Sequence, residues 1–130
     1  GGMVASALSA AEAAAQWFRG GLVAYSSGVK HEVLGVPEVP VVSGEAAEAM
    51  AAGVRKLLRA DVAVAVTGAG GPSQQDGAVP GTVFLAVDDG AGVEVRRRRL
   101  GGEPEEVCTA AAEQALTMLV ERLRGAQRRR

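Results

Sequence analysis

The chain has 130 residues, 48% of them hydrophobic but only 3% aromatic, with 14 basic residues against 15 acidic and a formal net charge of −1. That length fits one domain and leaves little room for a second, and the charge balance argues against a dedicated nucleic-acid binder, which would carry a clear basic excess. A single cysteine, Cys108, allows no internal disulfide, and no apolar run approaches the about 18 residues needed to cross a bilayer, so a cytoplasmic protein with a core of Ala, Val and Leu is expected.

Residues 3–18 are rich in Ala, with Val4, Leu8, Ala11 and Ala15 at helical spacing, which predicts a helix headed by Gly1 and Gly2. Gly20 and Gly21 break it, and Leu22, Val23, Ala24 and Tyr25 read as a short strand. Residues 27–34 read as a short helix or turn, closed by Gly35 and Pro37. After a loop over 37–44, Ser43 is placed to cap a helix over 45–59, whose Met50, Val54, Leu57 and Leu58 fall on one stripe. Residues 61–66 are continuously apolar after Asp61, which predicts a strand covered on both faces. A long Gly/Pro/Gln loop over 67–80 follows, then a strand over 81–87, a turn over 88–92 and a strand over 93–100 in hairpin with it. The last helix spans 103–124 and carries Val107, Ala111, Ala115, Met118, Leu119 and Leu123. One domain is expected over 1–125, with 126–130 a basic tail.

Alternating helices and strands predict a three-layer α/β/α domain with a mixed, mostly parallel sheet and one antiparallel pair. A helix with no strand before it further predicts that the chain begins partway through a βα unit.

Three features can carry chemistry. Gly1 and Gly2 open a helix, where N–H groups unshielded by Cβ atoms attract anions; a glycine pair at a chain terminus also fits a merely flexible end. Thr67, Gly68, Ala69, Gly70, Gly71 and Pro72 follow an apolar strand directly, the place where open α/β sheets bind ligands. Their glycines let backbone N–H groups approach a phosphate, and the Thr67 hydroxyl can add a donor. No Lys-Ser or Lys-Thr follows, so this is not a Walker loop, and a plain glycine-rich turn is the competing reading. Tyr25 and Lys30 flank Ser26 and Ser27 at a spacing that can bring a phenol and an amine into one pocket. A desolvated lysine can act as base toward a serine hydroxyl, and a tyrosine can relay the proton. From spacing alone, Tyr25 capping the sheet beside a solvated Lys30 is the favoured reading.

The remaining candidates read as structural. His31, the one histidine, lacks the partners for a zinc site and reads as a surface residue, and no metal or other cofactor is expected. Cys108 reads as a buried small hydrophobe in an apolar helix. Arg96, Arg97, Arg98 and Arg99 in one strand charge both of its faces, which predicts an edge strand whose arginines discourage edge-to-edge pairing.

Taken in order, these segments resemble the CinA C-terminal domain family over nearly the whole chain. Family members carry Glu-Ser-x-Thr-Gly-Gly, a helix, then Phe-x-Gly-Gly-x-Val-x-Tyr-Ser-Asn-x-x-Lys and Leu-Gly-Val. Here the chain reads Phe18-Arg19-Gly20-Gly21-Leu22-Val23-Ala24-Tyr25-Ser26-Ser27-Gly28-Val29-Lys30, then Leu34-Gly35-Val36. The family's Val-Ser before an Ala-Met-Ala-x-Gly helix is similar to Val42-Ser43 and Ala49-Met50-Ala51-Ala52-Gly53, its Thr-Gly-x-Ala-Gly-Pro loop to Thr67 through Pro72, and its Val-Gly-Thr-Val to Pro80-Gly81-Thr82-Val83.

The resemblance implies hydrolysis of the carboxamide of nicotinamide mononucleotide, giving nicotinic acid mononucleotide and ammonia, with no metal. It implies a serine nucleophile in the Glu-Ser-x-Thr-Gly-Gly segment working with Tyr25 and Lys30. Gly1, Gly2, Ser26, Ser43, Thr67, Gly68, Gly70, Gly71 and Pro72 would line the nucleotide pocket. Gly1 and Gly2 match the end of the nucleophile segment, so the serine is expected just upstream, together with the family's first helix and strand, and the chain by itself is expected to be nearly inactive.

Departures from the family pattern are Glu12-Ala13-Ala14-Ala15 where Pro-Gly-Ser-Ser is usual, Gly70 where Ala is usual, and Ala78 near the place of a lysine. A non-catalytic nucleotide-binding or regulatory domain of the same fold is the alternative reading, and an assembly module with a homodimer interface is a third.

Overall fold

The computed structural model describes residues 2–68 and 78–128. In chain order the elements are α1 (Met3–Ser9), α2 (Ala14–Trp17), α3 (Ser27–Glu32), α4 (Gly44–Leu58), β1 (Ala63–Gly68), β2 (Thr82–Asp88), β3 (Val93–Arg99) and α5 (Pro104–Arg128). The strands form one sheet in the order β1-β2-β3.

Both pairings in that sheet are antiparallel, which corrects the expected mostly parallel sheet. The expectation drew on the apolar run of β1, since strands covered on both faces are common in parallel sheets. Here the cover comes from one helix on each side, and helices shield a strand whatever its direction. The three layers themselves are present. On one face, Ala65 and Ala86 pack with Ala46, Ala47, Met50 and Ala51 of α4 and with Leu34 and Val36. On the other, Val83, Leu85 and Val87 pack with Val107, Ala111, Ala115 and Met118 of α5. Leu85 and Val87 are fully buried, each worth roughly 1.5–3 kcal/mol relative to exposure.

α4 starts where Ser43 accepts a hydrogen bond from the Ala46 N–H at 3.1 Å, the cap expected from the sequence, and satisfies a donor with no partner inside the helix. It ends as Arg59 turns left-handed at φ 54°. Small residues let it lie close to its neighbours: a Cβ on Gly53 would meet the Leu34 carbonyl oxygen. Arg55 near its end stands 3.4 Å from the buried Asp88 carboxylate at the end of β2.

Two segments differ from the sequence expectation. The helix expected over 3–18 divides into α1 and α2, with Ala13 in the left-handed region at φ 58°. Helices so short and alanine-rich draw little stability from propensity alone, and α1 has no buried residue. The strand expected at Leu22, Val23, Ala24 and Tyr25 is irregular backbone. It lies against α1, where a Cβ on Gly21 would lie 2.7 Å from the Ala5 methyl, and among the described residues it joins no ladder. α5 runs four residues past its expected end at 124, to Arg128. Among the described residues no helix is long and apolar enough to cross a membrane.

Candidate functional site

The irregular segment before α3 brings two candidate residues together along the chain. Tyr25 is 93% exposed, so its phenol stands in solvent. Ser26 caps α3, its hydroxyl oxygen accepting from the Val29 N–H at 3.2 Å. Lys30 follows in α3 and is half-buried. Its carbonyl accepts from the Val36 N–H at 3.0 Å, which folds the Leu34-Gly35-Val36 turn back on the helix.

α1 begins against the same segment. Gly2 is left-handed at φ 86°, and a Cβ there would lie 3.4 Å from a Val23 methyl. The backbone entering α1 therefore lies beside Val23, which precedes Tyr25 by two positions in the chain. Ala24, between them, packs on the cluster that contains Ala65 of β1, two residues before Thr67.

At the end of β1, the buried Thr67 hydroxyl donates to the Val41 carbonyl oxygen at 2.5 Å. Ser43 donates to the Pro40 carbonyl at 2.6 Å while capping α4. Both hydroxyl protons are thus held by the protein, which leaves each oxygen able to accept from a ligand donor but not to give its own proton. No sequence pattern signals the Val41 carbonyl as a partner 26 residues from Thr67. Gly68 closes β1, where a Cβ would lie 2.6 Å from a Val83 methyl. Gly1, Gly70, Gly71 and Pro72 lie outside the described residues.

Other side chains settle into structural roles. His31, expected on the surface, is half-buried, with Nδ1 2.7 Å from the Val36 carbonyl oxygen. Cys108, expected to be buried, is exposed, because α5 turns its Val107–Ala111–Ala115 stripe to the sheet instead. The arginine run does lie on an edge strand, β3. Arg96 pairs with Glu94 at 2.6 Å and Glu121 at 2.7 Å, and the hydrogen bond from Arg96 holds the Glu121 carboxyl below its ordinary range. Asp89 is lowered too, first by the Gly92 N–H, then by the Ala91 N–H and by Arg122. No group of three or more His, Cys, Asp or Glu among the described residues is arranged to hold a metal ion.

The model of the CinA C-terminal domain matches residues 1–123. The chain belongs to the CinA C-terminal domain family. A CinA-like protein of Solibacter usitatus is 37% identical over 131 residues, covering 96% of this chain and 32% of its own length, so this CinA domain spans about a third of that relative. The nicotinamide-nucleotide amidohydrolase PncC of Pseudomonas putida is 42% identical over 113 residues, covering 82% of this chain and 71% of its own. Among solved structures, the competence or damage-inducible protein of Enterobacter asburiae superposes with a TM-score of 0.90 at 32% identity, covering 95% of this chain and 81% of that one. The CinA fold is therefore shared in its backbone as well as its motifs.

Proposed function

We propose that this CinA domain hydrolyses the carboxamide of nicotinamide mononucleotide, with Tyr25 and Lys30 serving a serine that precedes the Gly1-Gly2 pair. The observation that carries this reading is the approach of the Gly2 backbone to Val23, where an added Cβ would lie 3.4 Å from a Val23 methyl. It brings the entrance of α1, where the family's nucleophile segment ends, within two residues of Tyr25. The similarity to an amidohydrolase whose name specifies nicotinamide nucleotide supports the substrate class.

The chemistry follows from the groups available. The Lys30 amine takes the serine proton, directly or through the Tyr25 phenol. The serine oxygen bonds to the carboxamide carbon, the C–N bond breaks, and the nitrogen leaves as ammonia with the relayed proton. Water then cleaves the ester, returning the serine and releasing the carboxylate. In this reading the Thr67 to Pro72 segment would hold the nucleotide's phosphate, and Ser26 and Ser43, which cap α3 and α4, would line the pocket.

The experiment is ammonia release from nicotinamide mononucleotide by the chain carrying a Glu-Ser-x-Thr segment ahead of Gly1, alongside calorimetric titration of the 130-residue chain with the same nucleotide. Turnover with the serine, and binding without turnover in its absence, are expected. Neither product nor binding in either form would overturn the reading.

A further inference from the structure

β3 pairs with β2 on one side only among the described residues. Its hairpin is closed at both ends, by Asp89 N–H to Gly92 O at 3.2 Å and by Leu100 N–H to Gly81 O at 2.8 Å. In an antiparallel ladder, hydrogen-bonded pairs alternate with pairs whose polar groups point away. With 81/100 and 89/92 bonded, Glu94, Arg96 and Arg98 face β2. Val93, Val95, Arg97 and Arg99 therefore direct their N–H and C=O groups to the free edge.

The side chains along that edge are arranged by charge. Glu94 stands toward one end, after the acidic turn at Asp88 and Asp89, and Arg96 through Arg99 fill the other. Val93 and Val95 are 36% and 38% exposed. Neither Arg97 nor Arg99 has a carboxylate within ion-pair distance among the described residues.

We propose that this edge is an interface between two copies of the chain, joined antiparallel about a twofold axis at Val95 so that two sheets become one. Outward-facing residues must oppose outward-facing ones, which allows only alternate registers. With Val95 opposite Val95 of the second copy, Val93 lies opposite its Arg97, and Glu94 lies opposite its Arg96 in a non-hydrogen-bonded pair, where side chains approach most closely. The next register one way sets Glu94 against Glu94, and the other way sets Arg96 against Arg96. A strand acidic at one end and basic at the other thus selects one self-pairing and opposes its neighbours. The arginines that discourage general edge-to-edge association become the device that fixes the register. The second copy also brings its Asp89 turn to the end where Arg98 and Arg99 lie.

Light scattering coupled to size exclusion tests this on the full chain, whose single-copy mass is 13.2 kDa. Twice that mass is expected. Glu94→Arg and Arg96→Glu should each weaken the dimer roughly tenfold or more, since each places two like-charged pairs across the axis. An equimolar mixture of the two variants should restore it, because every cross-copy pair is then opposite in charge. In a Cys108→Ser background, Val95→Cys should oxidise to a covalent dimer and Val93→Cys should not, since only position 95 meets itself. A monomeric wild type, a dimer indifferent to both charge variants, or a mixture that stays monomeric while circular dichroism shows folded protein would overturn the proposal.

Discussion

The Thr67 hydroxyl and the Val41 carbonyl, 26 residues apart in sequence, are joined by a 2.5 Å hydrogen bond at the end of β1. It ties the loop before α4 to the strand that leads into the candidate nucleotide turn. Replacing Thr67 with Val keeps the shape but removes this buried hydrogen bond, which costs about 0.5–1.5 kcal/mol. Thr67→Val is expected to lower the urea midpoint with an unchanged slope, while Thr67→Ser retains most of the stability. Equal stability in Thr67→Val would show that the bond contributes nothing.

Lys30 carries the catalytic proposal. In the chain carrying the serine segment, Lys30→Ala is expected to reduce ammonia release from nicotinamide mononucleotide by roughly 10²–10⁴, the range for loss of a general base. Tyr25→Phe should reduce it while leaving nucleotide binding in place. Undiminished turnover in Lys30→Ala would remove Lys30 from the mechanism.

Gly53 is the tightest point between α4 and the turn after α3. A methyl there would meet the Leu34 carbonyl oxygen, a backbone atom that cannot rotate away. Gly53→Ala should therefore destabilise by about 1–3 kcal/mol, although alanine is the better helix former by about 1 kcal/mol in an open position. Chemical denaturation decides between the two. A stabilised variant would mean that α4 shifts freely.

Asp89 gives the β2–β3 turn a pH dependence. Hydrogen bonds from the Gly92 and Ala91 N–H groups, with Arg122 beside them, lower its folded pKa. A lowered folded pKa favours folding above the unfolded-state value of about 3.9 and loses that contribution as pH falls through the folded value. The Tm of the wild type should exceed that of Asp89→Asn at neutral pH, and the gap should close below about pH 4. A gap independent of pH would assign the effect to something other than the carboxylate charge.

Much of the chain was legible from residue patterns because those elements rest on short-range physics. The apolar stripe of Met50 and Val54 behind a Ser43 cap specifies α4 locally, and the hairpin at 82–99 follows from two β-rich runs around Asp-Asp-Gly. Motif order from Phe18 to Val83 was enough to indicate the family. Tertiary structure alone decided what depends on partners distant in sequence. Whether β1 runs parallel or antiparallel to β2 leaves no mark on an apolar run, because both directions bury the same side chains. Leu22 to Tyr25 have strand-like composition, yet a strand exists only where a ladder accepts its backbone groups, and here the segment lies against α1 instead. Which atom takes the Thr67 proton, and that Arg97 and Arg99 share a face with Val95, follow from register and packing that no local pattern records.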